Sequence, residues 1–255
     1  MTLFSANLGF LWTELALPDA IRAAKAAGFD AVEFHWPYDV DPANVRAALL
    51  ETGLPVLGLN TRRGDVPAGE NGLAALPGRE KEARSAIDEA LAYARAVGAG
   101  AVHVMAGRTE GEAARQTFLD NLRYACAEAG HDRIILIEPL NPWDAPGYFL
   151  NRTEQAAEII TEIAAPNLRL MFDCYHVGRT EGDVVARLRA LWPLIGHIQF
   201  ASVPDRGAPD HGSLDYAPIF AEIVALGWAR PLGAEYKVAG ATEDSLAWLH
   251  ALRGR

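Results

Sequence analysis

Four apolar runs in the second half of the chain each close on, or carry near their end, an oxygen-bearing side chain. They are Glu138 in Ile135-Leu136-Ile137-Glu138, Asp173 in Leu170-Met171-Phe172-Asp173, Gln199 in His197-Ile198-Gln199-Phe200, and Glu235 in Gly233-Ala234-Glu235-Tyr236. Three carboxylates and an amide without a thiolate make a hard oxygen donor set, which suits Mg²⁺ or Mn²⁺ better than copper or zinc. Each residue alone reads equally well as a polar strand cap satisfied by backbone or water. Together the three acids need a cation or shared protons to relieve their repulsion, so the set points to a site more strongly than its members do. Two carboxylates beside a substrate can act as base and acid, removing a proton next to a carbonyl and returning one to the neighbouring carbon through an enediolate. A divalent ion gripping both oxygens would stabilise the developing negative charge.

A second tier of residues stands near the same run ends. His176 lies three residues past Asp173 and is placed to meet a substrate oxygen; anchoring its own loop is the plainer alternative. His103 closes the run Ala101-Val102-His103, where an interior, hydrogen-bonded histidine is equally expected. Arg206 and Lys237 are the candidates for holding a substrate carboxylate, Arg206 by a bidentate grip, with Arg62 and Arg63 as helpers. Asn60 ends the third run and is taken as a substrate contact; Asn7 and Glu33 end the first two and either line the pocket or tie strands together. Trp12, Trp36 and Trp143 wall a cavity or simply pack. His35, His131, His197, His211 and His250 show no converging partner in the sequence and receive no role.

These residues need a scaffold that brings run ends together. Short apolar runs alternate with amphipathic stretches from one end to the other: Leu3 to Leu8, Ala31 to Phe34, Val56 to Asn60, Ala101 to Met105, Ile134 to Glu138, Leu168 to Asp173, His197 to Phe200 and Leu232 to Tyr236, each followed by a predicted helix. Pro18-Asp19 with Gly28, and Asp41-Pro42 with Gly53, bracket the first two helices by N-terminal proline and C-cap glycine. Thr153-Glu154, Glu181-Gly182-Asp183 and Thr242-Glu243-Asp244 are further helix starts. Strict alternation leaves a closed (β/α)8 barrel or a doubly wound sheet. The first turn, Asn7-Leu8-Gly9-Phe10-Leu11-Trp12, lacks the GxGxxG that a dinucleotide-binding sheet would carry there, and no GxxxxGK[ST] occurs. The expectation is a single α/β domain over residues 1–255, a (β/α)8 TIM barrel with its site at the C-terminal ends of the strands. The Gly- and Pro-rich stretch 61–79 is expected to be a lid, being longer than connections usually are.

At 255 residues, half of them hydrophobic and 22% charged, the chain is an ordinary globular one; its length alone allows two domains or one barrel, which commonly uses about 250 residues. The formal charge of −10 argues against nucleic acid as a partner, since phosphate neutralisation needs a basic surface. Two cysteines, Cys126 and Cys174, fit neither a disulfide framework nor a thiolate metal site. No leader-like start and no long apolar run appear, so a soluble, cytoplasmic protein without a membrane partner is expected.

Taken as a whole, the chain resembles the hydroxypyruvate isomerase family, among the xylose-isomerase-like barrels that also include 2-oxo-tetronate isomerases and ketose 3-epimerases. The resemblance is carried by Phe4-Ser5-Ala6-Asn7-Leu8, Gly28-Phe29-Asp30-Ala31-Val32-Glu33-Phe34, the stretch from Gly72 to Glu80, Val102-His103-Val104-Met105-Ala106-Gly107, Glu138-Pro139-Leu140-Asn141 with Pro146-Gly147-Tyr148-Phe149-Leu150, Asp173-Cys174-Tyr175-His176, Pro204-Asp205-Arg206 and Glu235-Tyr236-Lys237. It implies that Glu138 and Glu235 are the paired proton donor and acceptor and that Asp173 and Gln199 complete the metal set. Where the family often has a basic residue between Asn141 and Pro146, this chain has Pro142-Trp143-Asp144-Ala145.

The function so implied is isomerisation of a small 2-keto, 3-hydroxy acid, with hydroxypyruvate to 2-hydroxy-3-oxopropanoate as the leading pair. The rivals on this scaffold are a 2-oxo-tetronate isomerase and a ketose 3-epimerase. More remote are a polyol-ketone dehydratase and a non-catalytic sugar-acid binding barrel. A phosphodiester-cleaving enzyme would want more histidine ligands and a basic face. A homo-oligomer is left open.

Overall fold

The computed structural model describes residues 2–253. In chain order the elements are β1 (Phe4–Asn7), α1 (Leu17–Ala27), β2 (Ala31–Glu33), α2 (Pro42–Thr52), β3 (Gly58–Asn60), α3 (Glu80–Val97), β4 (Ala101–His103), α4 (Glu112–Ala129), β5 (Ile134–Ile137), α5 (Thr153–Ile163), β6 (Leu168–Asp173), α6 (Cys174–Thr180), α7 (Val184–Leu191), β7 (Ile195–Phe200), α8 (Tyr216–Ala225), β8 (Leu232–Ala234) and α9 (Ala247–Arg253). All eight expected strands are present, most of them trimmed by a residue or more. The helix punctuation holds: Gly28 and Gly53 close α1 and α2 in the left-handed conformation, at φ 92° and 70°. Asp41 and Asp183 accept hydrogen bonds from Ala43 and Ala186 at the starts of α2 and α7.

Two elements differ from the expectation. Helix α6 starts at once after β6, nucleated by Asp173, whose Oδ1 accepts the Tyr175 N–H at 2.8 Å. Its signal is a single acid that also reads as a ligand. Thr242-Glu243-Asp244 forms a short 3₁₀ turn, Thr242–Ser245, ahead of α9, because the Thr242 hydroxyl and the Glu243 carboxylate are engaged by Trp12 rather than capping α9.

The chain packs as two compact units, Met1–Leu57 with Asp173–Trp192 and Ile198–Arg255, and Gly58–Phe172 with Pro193–His197. In the first, β1 lies between β2 and β8, and β8 pairs with the end of β7, all parallel. The register sets Asn7 beside Glu33 and Gln199 beside Gly233. Phe4 meets Phe200, Phe220 and Trp248 edge-on at 5.1–5.8 Å, so the floor under these strand ends is a rigid aromatic cluster. In the second unit β3, β4, β5 and β6 pair in succession, again parallel, and Asn60 pairs with His103. Ala101, Leu136 and Met171 form a buried cluster there, closed by Ile134. Parallel strands covered by crossover helices explain the near-continuous apolar runs of the sequence. Cys126 and Cys174 are both free and buried, and burial pushes the Cys126 thiol up to about 11. Among the described residues no helix is long and apolar enough to cross a membrane.

Candidate active site

In the first unit the strand ends deliver Asn7, Glu33, Gln199 and Glu235 to one buried cluster. Glu235, just past β8, is its centre: its Oε1 accepts from Asn7 Nδ2 at 2.9 Å, from Gln199 Nε2 at 3.3 Å, and bonds His35 Nε2 at 2.9 Å. Its Oε2 accepts from a terminal nitrogen of Arg206. Gln199 Nε2 also donates to Glu33 Oε2 at 3.1 Å. Gly233 makes this convergence feasible, because a Cβ there would stand 2.2 Å from Glu33 Oε1 and 2.7 Å from Gln199 Cγ. Its backbone is not left-handed, so space rather than conformation requires the glycine.

Arg206 is the cation of this cluster. Its guanidinium lies 3.8 Å from Asp173 Oδ2, over the rings of Phe10 at 4.7 Å and Tyr175 at 5.1 Å, and is largely buried. Aromatic faces on two sides strip water from the ion pairs and strengthen them. Burial alone would raise the Glu235 carboxyl; the Arg206 charge first, then the His35 hydrogen bond and charge, outweigh it and hold the carboxyl well below the usual carboxylate range. Asp173 goes the other way, pushed up by burial and then by the neighbouring Glu235 carboxylate, against the pull of Arg206. Two acids in one pocket are thus driven apart, as in sites that need one charged and one protonatable carboxyl.

His176 is buried in the first turn of α6, with Nε2 3.6 Å from Asp173 Oδ2 and its ring 5.2 Å from that of Tyr175. Lys237 is exposed, and its backbone N–H donates to the Arg206 carbonyl at 2.7 Å. Of the sequence candidates this unit therefore brings together Asp173, Gln199, Glu235, His176 and Arg206, with Asn7 and Glu33 beside them.

The second unit holds Glu138, His103 and Asn60. His103 Nδ1 lies 3.7 Å from Glu138 Oε2 and 3.3 Å from Asn60 Oδ1, all from neighbouring strand ends. The Tyr148 hydroxyl, buried and within the electrostatic reach of Glu138, accepts the Ala106 N–H at 2.8 Å, and burial drives its ionisation far above the ordinary range. Asn141 caps the following turn by accepting from the N–H groups of Trp143 and Asp144.

His35 was given no role from sequence, yet it bonds Glu235. No sequence signal marked it: a Cβ at Gly9 would lie 2.1 Å from His35 Nδ1, so glycine there clears space for the imidazole, but in the sequence it reads as an ordinary turn glycine. Phe10 and Trp36 hold the ring from either side at 5.1 and 4.8 Å.

The donor set fits a hard divalent cation on one point of structure. Asp173 Oδ2 and Gln199 Oε1 are buried and accept no hydrogen bond among the described residues, leaving lone pairs that a Mg²⁺ or Mn²⁺ ion would satisfy.

A carboxylate cluster at the C-terminal ends of parallel strands in β/α units is where a barrel enzyme keeps its active site, and comparison with known proteins gives the family. A family model described as Xylose isomerase-like TIM barrel matches residues 21–252, and the chain belongs to that family. It is 44% identical over its whole length to the whole of the 2-oxo-tetronate isomerase of Cupriavidus necator. It is 36% identical, over 99% of this chain and all of the other, to the hydroxypyruvate isomerase of Escherichia coli K12. Among solved structures, the protein described as an AP endonuclease, family 2, from Brucella melitensis superposes with a TM-score of 0.94 at 38% identity, covering 98% of this chain and 99% of that one. The (β/α)8 TIM-barrel fold and the family expected from sequence are both shown by these matches.

Proposed function

We propose that this isomerase moves the carbonyl of a small 2-keto, 3-hydroxy acid between C2 and C3, interconverting hydroxypyruvate and 2-hydroxy-3-oxopropanoate. The observation that carries the reading is Glu235: a buried strand-end carboxylate whose two oxygens are fixed by Arg206, His35, Asn7 and Gln199, so that a proton acceptor is held in one position beside a buried cation. Glu235 takes or returns the proton on one carbon, and the complementary transfer is assigned to Glu138 from its motif. Arg206, the buried guanidinium beside the base, is assigned the substrate carboxylate, with His176, His103 and Asn60 as contacts to substrate oxygens and Lys237 as an outer cation. This makes attraction of an anion a local property of an acidic protein.

Asp173, Gln199, Glu235 and Glu138 would hold the divalent ion, Mg²⁺ or Mn²⁺. When bound, it supplies Lewis-acid stabilisation of the enediolate oxygens. The stretch 61–79 serves as the lid in this reading through its exposed run, residues 64–68, because Gly72, Ala74 and Ala75 are buried and bonded to Met105 and Ala106. Buried free thiols support a cytoplasmic setting.

A second reading, 2-oxo-tetronate as substrate, is favoured by the 44% identity to the enzyme of that name. A panel of hydroxypyruvate, 2-oxo-tetronates and free ketoses, assayed with and without EDTA, tests both. Turnover of a keto acid with free ketoses inert is the expected result; turnover of ketoses alone would overturn the reading.

A further inference from the structure

Arg206 stands at φ 60°, in the left-handed region that a non-glycine residue rarely occupies, so its loop must hold it there. The hold comes from groups the proposed reaction does not use. The Arg206 N–H donates to the Ser202 carbonyl at 3.0 Å and the Ser202 N–H to the Gly207 carbonyl at 2.9 Å, closing the loop on itself. Inside it, the buried Ser202 hydroxyl donates to Asp205 Oδ1 and accepts the Gly207 N–H at 3.0 Å. His211 locks the outside: its Nε2 bonds Asp205 Oδ2 at 2.8 Å and lies 3.3 Å from the Ser202 hydroxyl, while Nδ1 bonds Asp210 Oδ1 at 3.0 Å.

The imidazole sits in a prepared space. A Cβ on Gly207 would lie 2.9 Å from His211 Cε1, 3.0 Å from Nε2 and 3.1 Å from Asp205 Oδ2, and Gly207 is not left-handed, so the missing side chain is what admits the ring. With acids on both ring nitrogens, the doubly protonated ring is the form that donates to both.

We propose that His211, through Asp205 and Ser202, is a positioning residue that clips the Arg206 loop shut in its protonated form and loosens it on deprotonation, so that affinity for an anionic substrate falls as His211 loses its proton. Hydrogen bonds to Asp210 and Asp205 raise the His211 pKa above the ordinary imidazole value. Further charged groups meet the ring's loop: Arg179 donates to the Pro204 carbonyl, Asp215 caps α8 through the Ala217 N–H, the Lys237 N–H donates to the Arg206 carbonyl, and Glu235 and Asp173 face the Arg206 guanidinium. The ring is half exposed, so its proton exchanges freely with solvent. A keto-acid carboxylate stays ionised across the same range, leaving His211 as the group that changes.

This inference rests on the isomerase reading only for its kinetic arm. The test combines NMR titration of the His211 ring and the Arg206 Nε–H signal in the full chain with KM and kcat against pH for wild type, His211→Gln and Asp205→Asn. Expected is a His211 midpoint above that of a free imidazole, an Arg206 signal that moves with the same midpoint, and a wild-type KM rising about tenfold across it, the worth of one hydrogen bond to a charged group. In both variants KM should be flat over that window. An Arg206 signal that ignores His211, or the same KM profile in wild type and His211→Gln, overturns the clip. If no substrate in the panel turns over, the isomerase reading fails and the Arg206 signal alone decides the clip; if a variant does not fold, the wild-type titration decides it.

Discussion

His35 Nε2 and Glu235 Oε1 lie 2.9 Å apart, and the space for that ring exists only because residue 9 has no side chain. The imidazole fixes which oxygen of Glu235 is tied to the protein wall and shares that oxygen with Asn7 and Gln199. A hydrogen bond to a charged group is worth about 1.5–3 kcal/mol, so His35→Ala should lower kcat roughly 10- to 100-fold. His35→Gln, which keeps a donor, should recover most of that loss, and Gly9→Ala should mimic the alanine variant by displacing the ring. Steady-state kinetics on all three variants checks this; wild-type kcat in His35→Ala would remove the positioning role.

Replacing Glu235 or Glu138 by glutamine keeps shape and removes the base. General acid–base contributions are about 10²- to 10⁴-fold, and each single variant should lose at least that much in kcat. Solvent deuterium incorporation into hydroxypyruvate, followed by NMR, separates the steps: the variant lacking the first base should stop exchange, while the other should still exchange without product. Exchange at the wild-type rate in both variants would rule out the paired-glutamate mechanism.

The eight strands and most helix limits were readable because parallel strands buried on both faces are continuous apolar runs and because Asp41, Gly28, Gly53 and Asp183 act locally. The strand-end acids were readable too, since a carboxylate closing such a run is out of place unless something answers it. What was not readable depends on tertiary space. His35 and His211 look like solitary histidines in sequence; their partners Glu235 and Asp205 lie 200 and 6 residues away, and the clues are the clearances at Gly9 and Gly207. A glycine that admits a ring cannot be told from a turn glycine without coordinates. Asp173 hid helix α6 because one side chain does two things, with Oδ1 capping the helix and Oδ2 directed toward Arg206 and His176.

The buried oxygens Asp173 Oδ2 and Gln199 Oε1 lead to a metal-binding prediction that does not depend on turnover. Chelated and desalted protein should bind one Mn²⁺ per chain by calorimetry or electron paramagnetic resonance. Asp173→Asn and Gln199→Leu should each weaken it at least tenfold, in line with loss of one ligand or its support. Because Arg206 lies 3.8 Å from Asp173 Oδ2, Arg206→Gln should bind the ion more tightly than wild type by removing a competing cation. Unchanged Mn²⁺ affinity in Asp173→Asn would take Asp173 out of the ligand set.

The loop that carries Arg206 should have a pH window of its own. Burial works against the Asp205 carboxylate, but hydrogen bonds from Ser202, His211 and Gly207 bring it down to about 2. A depressed acid stabilises the folded loop above its unfolded value, about 3.9, and that contribution is lost as pH falls toward the folded value. His211 has the opposite sign: its raised folded pKa contributes fully below about 6.5 and is lost as pH rises through the folded value. Both contributions are present in full together only between about pH 4 and 6.5. Both groups are half exposed, so solvent screens the effect and it should appear as local opening rather than as a change in global unfolding. Amide exchange of residues 202–213, corrected for intrinsic rates, should therefore show greatest protection near pH 5 and less at pH 8, while the Phe4, Phe200 and Trp248 region stays unchanged. In Asp205→Asn the difference between the two pH values should vanish, and its persistence there would assign the pH response to some other group.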